Sequence, residues 1–310
     1  MTRQRLAWPM LAVMSLLAAC ARDAQGPVSQ SSLSHVLLTD GPFPYDRLAR
    51  VDLHIVSISA SLSTDTAAGA GGGFVNLASP NRRFDVLALQ NGATAELGAL
   101  KLPAGAVTAV RMVIDTDSSS ITLKDGRVLT GANNGIHWQS SAGRPVLNAL
   151  VQEQILVPDT GAVIVIDFDV GESFVTLQEL DSVSTDSSFT FMPQFRAVDA
   201  NRTGTITGVV RAHAVGGAPV ADASVRLYIG YPVNPENTWG TLATGRTDST
   251  GTFRLSYVTR SSLWATTALA GATYIVAVDP PAAAVLGRAI VPGIEVTEKQ
   301  TTSLGTVVLP

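Results

Sequence analysis

Two pairs of aspartates are the residues in this sequence best spaced to act together. Asp115 and Asp117 form one pair, and Asp167 and Asp169 form the other. Side chains at positions i and i+2 of an extended strand point to the same face, so each pair has the spacing to bind Ca²⁺ or to act as acid and base. Each pair also ends an apolar run, where an aspartate commonly caps the turn that follows. We favour the capping role and keep a catalytic site at these pairs as an alternative.

Other signs of metal or catalytic chemistry are weak. The segment from Asp167 to Gly171 starts like a calcium loop, but its twelfth position is Gln178 rather than glutamate. The motifs Gly-x-Ser-x-Gly, His-Glu-x-x-His and the lysine-containing phosphate loop are absent. The histidines are far apart in sequence, and we predict no cofactor and no metal site; they are His35, His54, His137 and His213.

Aromatic side chains offer a different chemistry. Trp239 lies near Tyr231 in a stretch with two prolines. Exposed aromatic rings stack on sugar rings, whereas buried ones fill the edge of a core. These two residues are therefore our candidate ligand contacts, and they support a carbohydrate- or peptidoglycan-binding role as the alternative function.

The N-terminus has the three-part pattern of a secretory signal. Arg3 and Arg5 precede an apolar run, Leu6–Ala19, and small residues come directly before Cys20. A membrane-spanning helix needs about 20 apolar residues, which this run lacks. We therefore predict that residues 1–19 are a signal peptide that is removed.

The residues at the cleavage point are Leu17-Ala18-Ala19-Cys20, and Cys20 is the only cysteine of the chain. They resemble the lipobox of bacterial lipoproteins. The resemblance implies a diacylglycerol on the Cys20 thiol and an acyl chain, such as palmitate, on the new N-terminus. One acyl chain binds membranes marginally and two anchor stably. Ala21, where aspartate would retain such a protein in the inner membrane, favours the outer membrane. Residues 20–32 are polar and small and predict a tether.

Composition narrows the class of protein. Of 310 residues, 46% are hydrophobic and 15% charged, and the net charge is −4. Disordered proteins are less hydrophobic, and nucleic-acid-binding proteins carry a basic balance or stripe, so both are disfavoured. The most apolar later stretch, 268–294, contains charges and prolines that argue against a second membrane segment. We expect the lipid to be the only anchor.

Residues 33–200 have the pattern of β-strands. Val51, Leu53 and Ile55 alternate with polar residues, and Ile121–Thr130 predicts a hairpin around an Asp-Gly turn. The apolar run Val163–Phe168 predicts a central strand, and a short helix is expected near Ala93–Leu100. The region resembles the bacterial family of domain of unknown function 4382, which implies an envelope module without an assigned activity. The matching segments are 84–92, 102–105, 110–115, 166–169 and 191–193.

Residues 204–310 have a different sequence pattern from residues 33–200. They contain Pro219-Val220-x-x-Ala-x-Val-x-Leu227 and Thr247-Asp248-x-x-Gly251-x-Phe253. These motifs resemble the carboxypeptidase regulatory-like domain, which implies a small transthyretin-like β-sandwich without protease chemistry. Asp248 can cap the turn, and Gly251 can supply its positive φ.

The sequence therefore predicts an all-β protein of two β-sandwich-like domains, 33–200 and 204–310, after a lipoprotein signal peptide. We expect a lipid-anchored, non-enzymatic binding or structural module of the cell envelope. Its expected location is the outer membrane, facing the periplasm or the cell surface. The expected partners are the membrane, through the lipid on Cys20, and an envelope protein or polysaccharide, but no nucleic acid.

Overall fold

A computed structural model gives the strands and sheets of this chain. It describes residues 33–41, 47–63, 73–140, 143–176, 188–236, 238–265 and 269–310. The predicted signal peptide, Cys20 and the tether lie outside these residues. None of the described helices is long and apolar enough to cross a membrane.

Residues between 33 and 200 build sheets around the first hydrophobic core, which runs from Val36 to Ala197. The elements are β1 (Ser34–Asp40), β2 (Leu48–Ser63), β3 (Phe74–Ala78), β4 (Arg82–Asp85), β5 (Ala95–Leu100), β6 (Gly105–Leu123), β7 (Val128–Leu129), β8 (Ile136–Trp138), β9 (Val146–Asn148), β10 (Ile155–Val157), β11 (Val163–Phe168), α1 (Val170–Ser173), β12 (Phe174–Thr176), β13 (Phe189–Phe191) and β14 (Phe195–Asp199). Short 3₁₀ helices span Val86–Leu89 and Ala200–Arg202.

The largest sheet is organised by β2 and β6, which pair antiparallel from Leu48↔Leu123 to Ser63↔Ala106. Val51, Leu53 and Ile55 are buried in β2, as their alternation predicts. The Asp-Gly hairpin is also confirmed, because Ile121 pairs with Leu129 across the turn. The path of this sheet is β10-β6-β2-β3, with β4, β7 and β9 attached to it.

The second sheet has the order β14-β11-β1-β5. β11 lies between a parallel β1 and an antiparallel β14, which confirms the predicted central strand. The helix predicted near Ala93–Leu100 is wrong, because β5 pairs there with β1. The pairing of β5 with β1 outweighs the helix propensity of the residues in this segment. A Cβ at Gly98 would stand 2.9 Å from Ala78 Cβ, so this glycine allows β5 to pack closely against β3.

Residues beyond 203 surround the second core, which runs from Ile206 to Leu309. Its sheets have the orders β18-β15-β21 and β17-β16-β19-β20. The elements are β15 (Thr203–Ala212), β16 (Ser224–Gly230), β17 (Thr238–Arg246), β18 (Thr252–Thr259), α2 (Ser262–Ala265), β19 (Thr273–Asp279), β20 (Ala289–Ile294) and β21 (Thr301–Leu309). The fold is thus nearly all β with sandwich-like packing, as predicted.

The predicted turn before β18 is confirmed. The backbone N–H groups of Thr250 and Thr252 donate to Asp248 Oδ1 at 2.8 and 3.0 Å, and Gly251 has a φ of +78°. Both cores belong to one compact unit, residues 31–310. The contact between them positions the candidate site.

Candidate functional site

A crevice of about 290 Å³ lies where the two cores meet. The first core contributes the end of β11, the start of α1 and β14, and the second core contributes β17. The lining combines three carboxyl groups and one guanidinium with apolar side chains. These residues are Gly41, Leu150, Asp167, Asp169, Glu172, Gln194, Phe195, Arg196, Gly240, Thr241, Leu242, Ala243 and Thr244.

Asp167 is held by Arg196, its register partner on β14. Both Nε and Nη2 of Arg196 donate to Asp167 Oδ2, at 2.9 and 2.6 Å. Arg196 is only 5% exposed, and its Nη2 also donates to the carbonyl of Ser256 on β18 at 3.4 Å. The buried guanidinium therefore joins the first core to the second.

Asp169 caps α1, as predicted for an aspartate at the end of an apolar run. Its Oδ1 accepts from the N–H of Glu172 at 2.9 Å, and its Oδ2 accepts from Oγ1 of Thr244 on β17 at 2.7 Å. Burial raises the pKa of Asp169 from 3.8 to about 6, and these hydrogen bonds offset only part of that effect. Asp167 and Asp169 line the same crevice, although Asp169 lies beyond the end of β11.

A further carboxyl group, not predicted, lies beside this pair. Asp40 ends β1 and is 3% exposed. Its Oδ1 accepts from the N–H of Val170 at 3.0 Å, whereas its Oδ2 has no hydrogen-bond partner. Burial raises the pKa of Asp40 well above its ordinary value, and the charges of Asp169 and Asp167 raise it further. The hydrogen bond from the Val170 N–H and the nearby Gln90 side chain lower this pKa in part.

A smaller cavity of about 20 Å³ separates Asp40 from β18. Asp40, Asp167 and Tyr257 are among the residues that line it. Tyr257 has a φ of +55°, where β18 shifts register against β15. Such a conformation is strained for a bulky residue, and it occurs here in a β-bulge that faces the carboxyl groups.

The first aspartate pair lies elsewhere. Asp115 is on β6, in the larger sheet, where its Oδ2 accepts from Arg144 at 3.0 Å and its Oδ1 from the N–H of Ser118 at 3.0 Å. These bonds lower its pKa although desolvation opposes them. Asp117 is exposed and has Gly143 as a neighbour. The two pairs therefore share no cleft.

Each histidine lies apart from the others. His35 is 2.8 Å from Glu96 Oε1, His54 is 3.2 Å from Asn81 and His137 is 3.0 Å from Ser188. Across the described ranges, no group of three or more histidine, cysteine, aspartate or glutamate residues is placed to hold a metal ion. Gln178, the twelfth position of the calcium-like segment, lies outside those ranges.

Of the two predicted aromatic contacts, the structure describes Tyr231 and the backbone of Trp239. Trp239 lies in β17, where its backbone pairs with Ile229, and its side chain is outside the described part of the structure. Tyr231 follows β16 and is half-buried. Sugar binding at these residues stays a prediction. If it is correct, Trp239→Ala will elute earlier than wild type from a polysaccharide column, and equal elution would contradict it.

One family model matches this chain, over residues 32–186, and its description is "Domain of unknown function (DUF4382)". It does not extend to residues 204–310. A search of curated proteins gives no match.

Several solved structures, two pilins among them, align over most of the chain at low similarity. The Bacillus anthracis TIE protein is 12% identical with a TM-score of 0.23, and the alignment covers 90% of this chain but 34% of that protein. The minor pilin GBS52 of Streptococcus agalactiae is 9% identical with a TM-score of 0.22, covering 89% and 95%. The shaft pilin SpaA of Lactobacillus rhamnosus GG is 11% identical with a TM-score of 0.24, covering 90% and 97%. Scores this low support no conclusion on fold or function.

Proposed function

Because this chain belongs to the family described as domain of unknown function (DUF4382), its description supplies no activity. From the chain's own residues, we propose that the protein is a lipid-anchored module of the bacterial cell envelope that binds or supports another envelope component and catalyses no reaction. The observation that carries this proposal is the sequence Leu17-Ala18-Ala19-Cys20 after an apolar run, with Cys20 the only cysteine.

The contacts of the aspartates support a non-enzymatic role. Asp167 is neutralised by the buried Arg196, and Asp169 caps α1 and accepts from Thr244. Asp115 is bound by Arg144 and Ser118 in a different sheet. Each of these carboxyl groups thus has a structural partner, and a general base would instead need a free face toward a substrate.

The crevice is the best place for a bound component. It lies at a contact between two cores, where ligand sites are common, and its carboxyl groups and apolar side chains line one cavity. The region around the second core, with its turn motif at Asp248 and Gly251, would act as a carboxypeptidase regulatory-like sandwich that completes the crevice. The bound partner would then be a protein segment or polysaccharide of the envelope.

We expect Cys20→Ala to move the protein from the membrane fraction to the soluble fraction, because the thiol that carries the diacylglycerol is lost. The measurement is membrane fractionation of a Gram-negative host, with metabolic labelling by an alkyne fatty acid. Wild type should take the label and Cys20→Ala should not.

Ala21→Asp is the matched control. It keeps Cys20, so the label should remain, while the protein should shift from the outer toward the inner membrane. Unlabelled wild type, or Cys20→Ala that stays in the membrane fraction, would contradict the lipid anchor.

A further inference from the structure

The second core covers the carboxyl groups of the first. Thr244 on β17 donates to Asp169, and the backbone of Ser256 on β18 accepts from Arg196. The approach is close, because a Cβ at Gly41, which follows β1, would stand 2.8 Å from Thr244 Oγ1. β17 and β18 therefore cover these groups and leave them less exposed to water than they would be if the cores separated.

The charges at this contact do not balance. Asp40 comes from β1, Asp167 from β11, and Asp169 and Glu172 from the start of α1, whereas β14 supplies Arg196. Arg196 forms its ion pair with Asp167.

The second core adds groups that do not correct the imbalance. Arg226 of β16 lies 3.9 Å from Glu172 and 3.3 Å from Asp279. Arg254 and Tyr257 of β18 line the small cavity, where Arg254 Nε donates to Ser256 Oγ at 3.1 Å. Among the described residues, Asp40 and Asp169 therefore have no ion-pair partner within 4 Å. They are the groups at this contact for which ionisation under the second core is costly.

We propose that the contact between the two cores is pH-responsive, with Asp40 and Asp169 protonated when β17 and β18 are closed over them and ionised when the cores separate. The hydrogen bonds support both states. Protonated Asp169 can donate from Oδ2 to Thr244 Oγ1 and still accept from Glu172 at Oδ1. Ionised Asp169 and Asp40 become fully hydrated only when the second core moves away.

The direction of the effect follows from linkage. The pKa of Asp169 is about 6 in the closed form and 3.8 as its ordinary value. A carboxyl group whose pKa is raised by a contact stabilises that contact only while it is protonated. The closed form therefore loses stability as pH rises from about 4 to about 6, and the loss levels off above that. The raised pKa of Asp40 acts in the same direction.

The test measures how often the cores separate. Ala243 on β17 is 8% exposed and lines both cavities. Ala243→Cys therefore places a thiol at the contact and enlarges the side chain only slightly. Its maleimide labelling rate in the folded, detergent-solubilised full chain is divided by the rate in urea at the same pH, which cancels the pH dependence of the thiol. We expect this relative rate to rise on the order of 10- to 100-fold from pH 4 to pH 7.5.

Asp169→Asn in the same background should reduce that rise and leave the part that belongs to Asp40, because the amide keeps the size and hydrogen bonds of the carboxyl group without its charge. Asp159→Asn is the matched control, an exposed turn residue away from the contact, and should behave as the parent. A flat profile of the parent, or an equal rise with Asp169→Asn, would overturn the proposal.

A second measurement does not need the cysteine. In urea denaturation, Asp169→Asn and wild type should have equal midpoints near pH 4, and the variant should be more stable above pH 6. Equal midpoints at every pH would also overturn the proposal. The labelling is done in a Cys20→Ala background, so that Ala243→Cys supplies the only thiol, and neither readout then depends on the lipid anchor.

Discussion

Arg196→Met is expected to lower the free energy of unfolding by about 3 to 5 kcal/mol at pH 7. The guanidinium is buried and donates twice to Asp167 Oδ2 and once to the Ser256 carbonyl. Methionine keeps much of the side-chain volume but leaves Asp167 as an uncompensated charge under the second core. Urea denaturation followed by circular dichroism measures the change.

Arg127→Met provides the matched control, because Arg127 pairs with Asp125 on the surface, where both side chains are more than half exposed. Such pairs contribute at most about 1 kcal/mol. The double variant Arg196→Met/Asp167→Leu should recover part of the lost stability, since no charge then remains unpaired. A cost for Arg196→Met no larger than for Arg127→Met would show that the ion pair does not hold the two cores together.

Gly251→Ala is expected to destabilise the second core by about 2 to 4 kcal/mol. The glycine has a φ of +78°, a conformation that costs an L-residue about 1 to 2 kcal/mol. An added Cβ would also stand 2.5 Å from the Val210 carbonyl oxygen, a backbone atom that cannot swing aside. The same residue accepts from the Val210 N–H through its carbonyl at 2.7 Å, so a shift of the turn also weakens this bond.

Gly126→Ala separates the two costs. Gly126 has a φ of +87° in the β6–β7 hairpin, and nothing lies within 4 Å of its added Cβ. This variant should lose only the conformational part, about 1 to 2 kcal/mol. Thermal melts of both variants beside wild type test the difference, and equal shifts in Tm would argue that the close approach of Gly251 to β15 does not matter.

Local sequence patterns were sufficient to predict the strands and turns that are determined by their own residues. The alternation in β2, the apolar run of β11, and the turns at Gly126 and Asp248 each act over a few residues, and each is found in the structure. Asp169 lies just beyond the end of β11, where it caps α1, and it still lines the same crevice as Asp167.

The rest of the site depends on pairings distant in sequence. Arg196 meets Asp167 across a sheet, 29 residues away, and Thr244 reaches Asp169 from 75 residues away. The burial of Asp40 depends on β17 and β18, whose position no local pattern gives. A charged residue inside the apolar run Phe195-Arg196-Ala197-Val198 was the available signal for a buried ion pair. β5 was mistaken for a helix for the same reason, since its partner β1 lies about 60 residues earlier.

The parallel pairing of β1 with β11 also determines the order of folding. His35 pairs with Val163 and Asp40 with Phe168, so β1 finds this second neighbour, after β5, only when about 130 more residues have been synthesised. Contacts that close such long loops slow folding and leave strands unpaired for longer. We therefore expect refolding of the first core to be slow, with the β2–β6 pair forming early and β1 joining last. An isolated fragment that ends before β11 would lack a partner on one side of β1 and would be prone to aggregate.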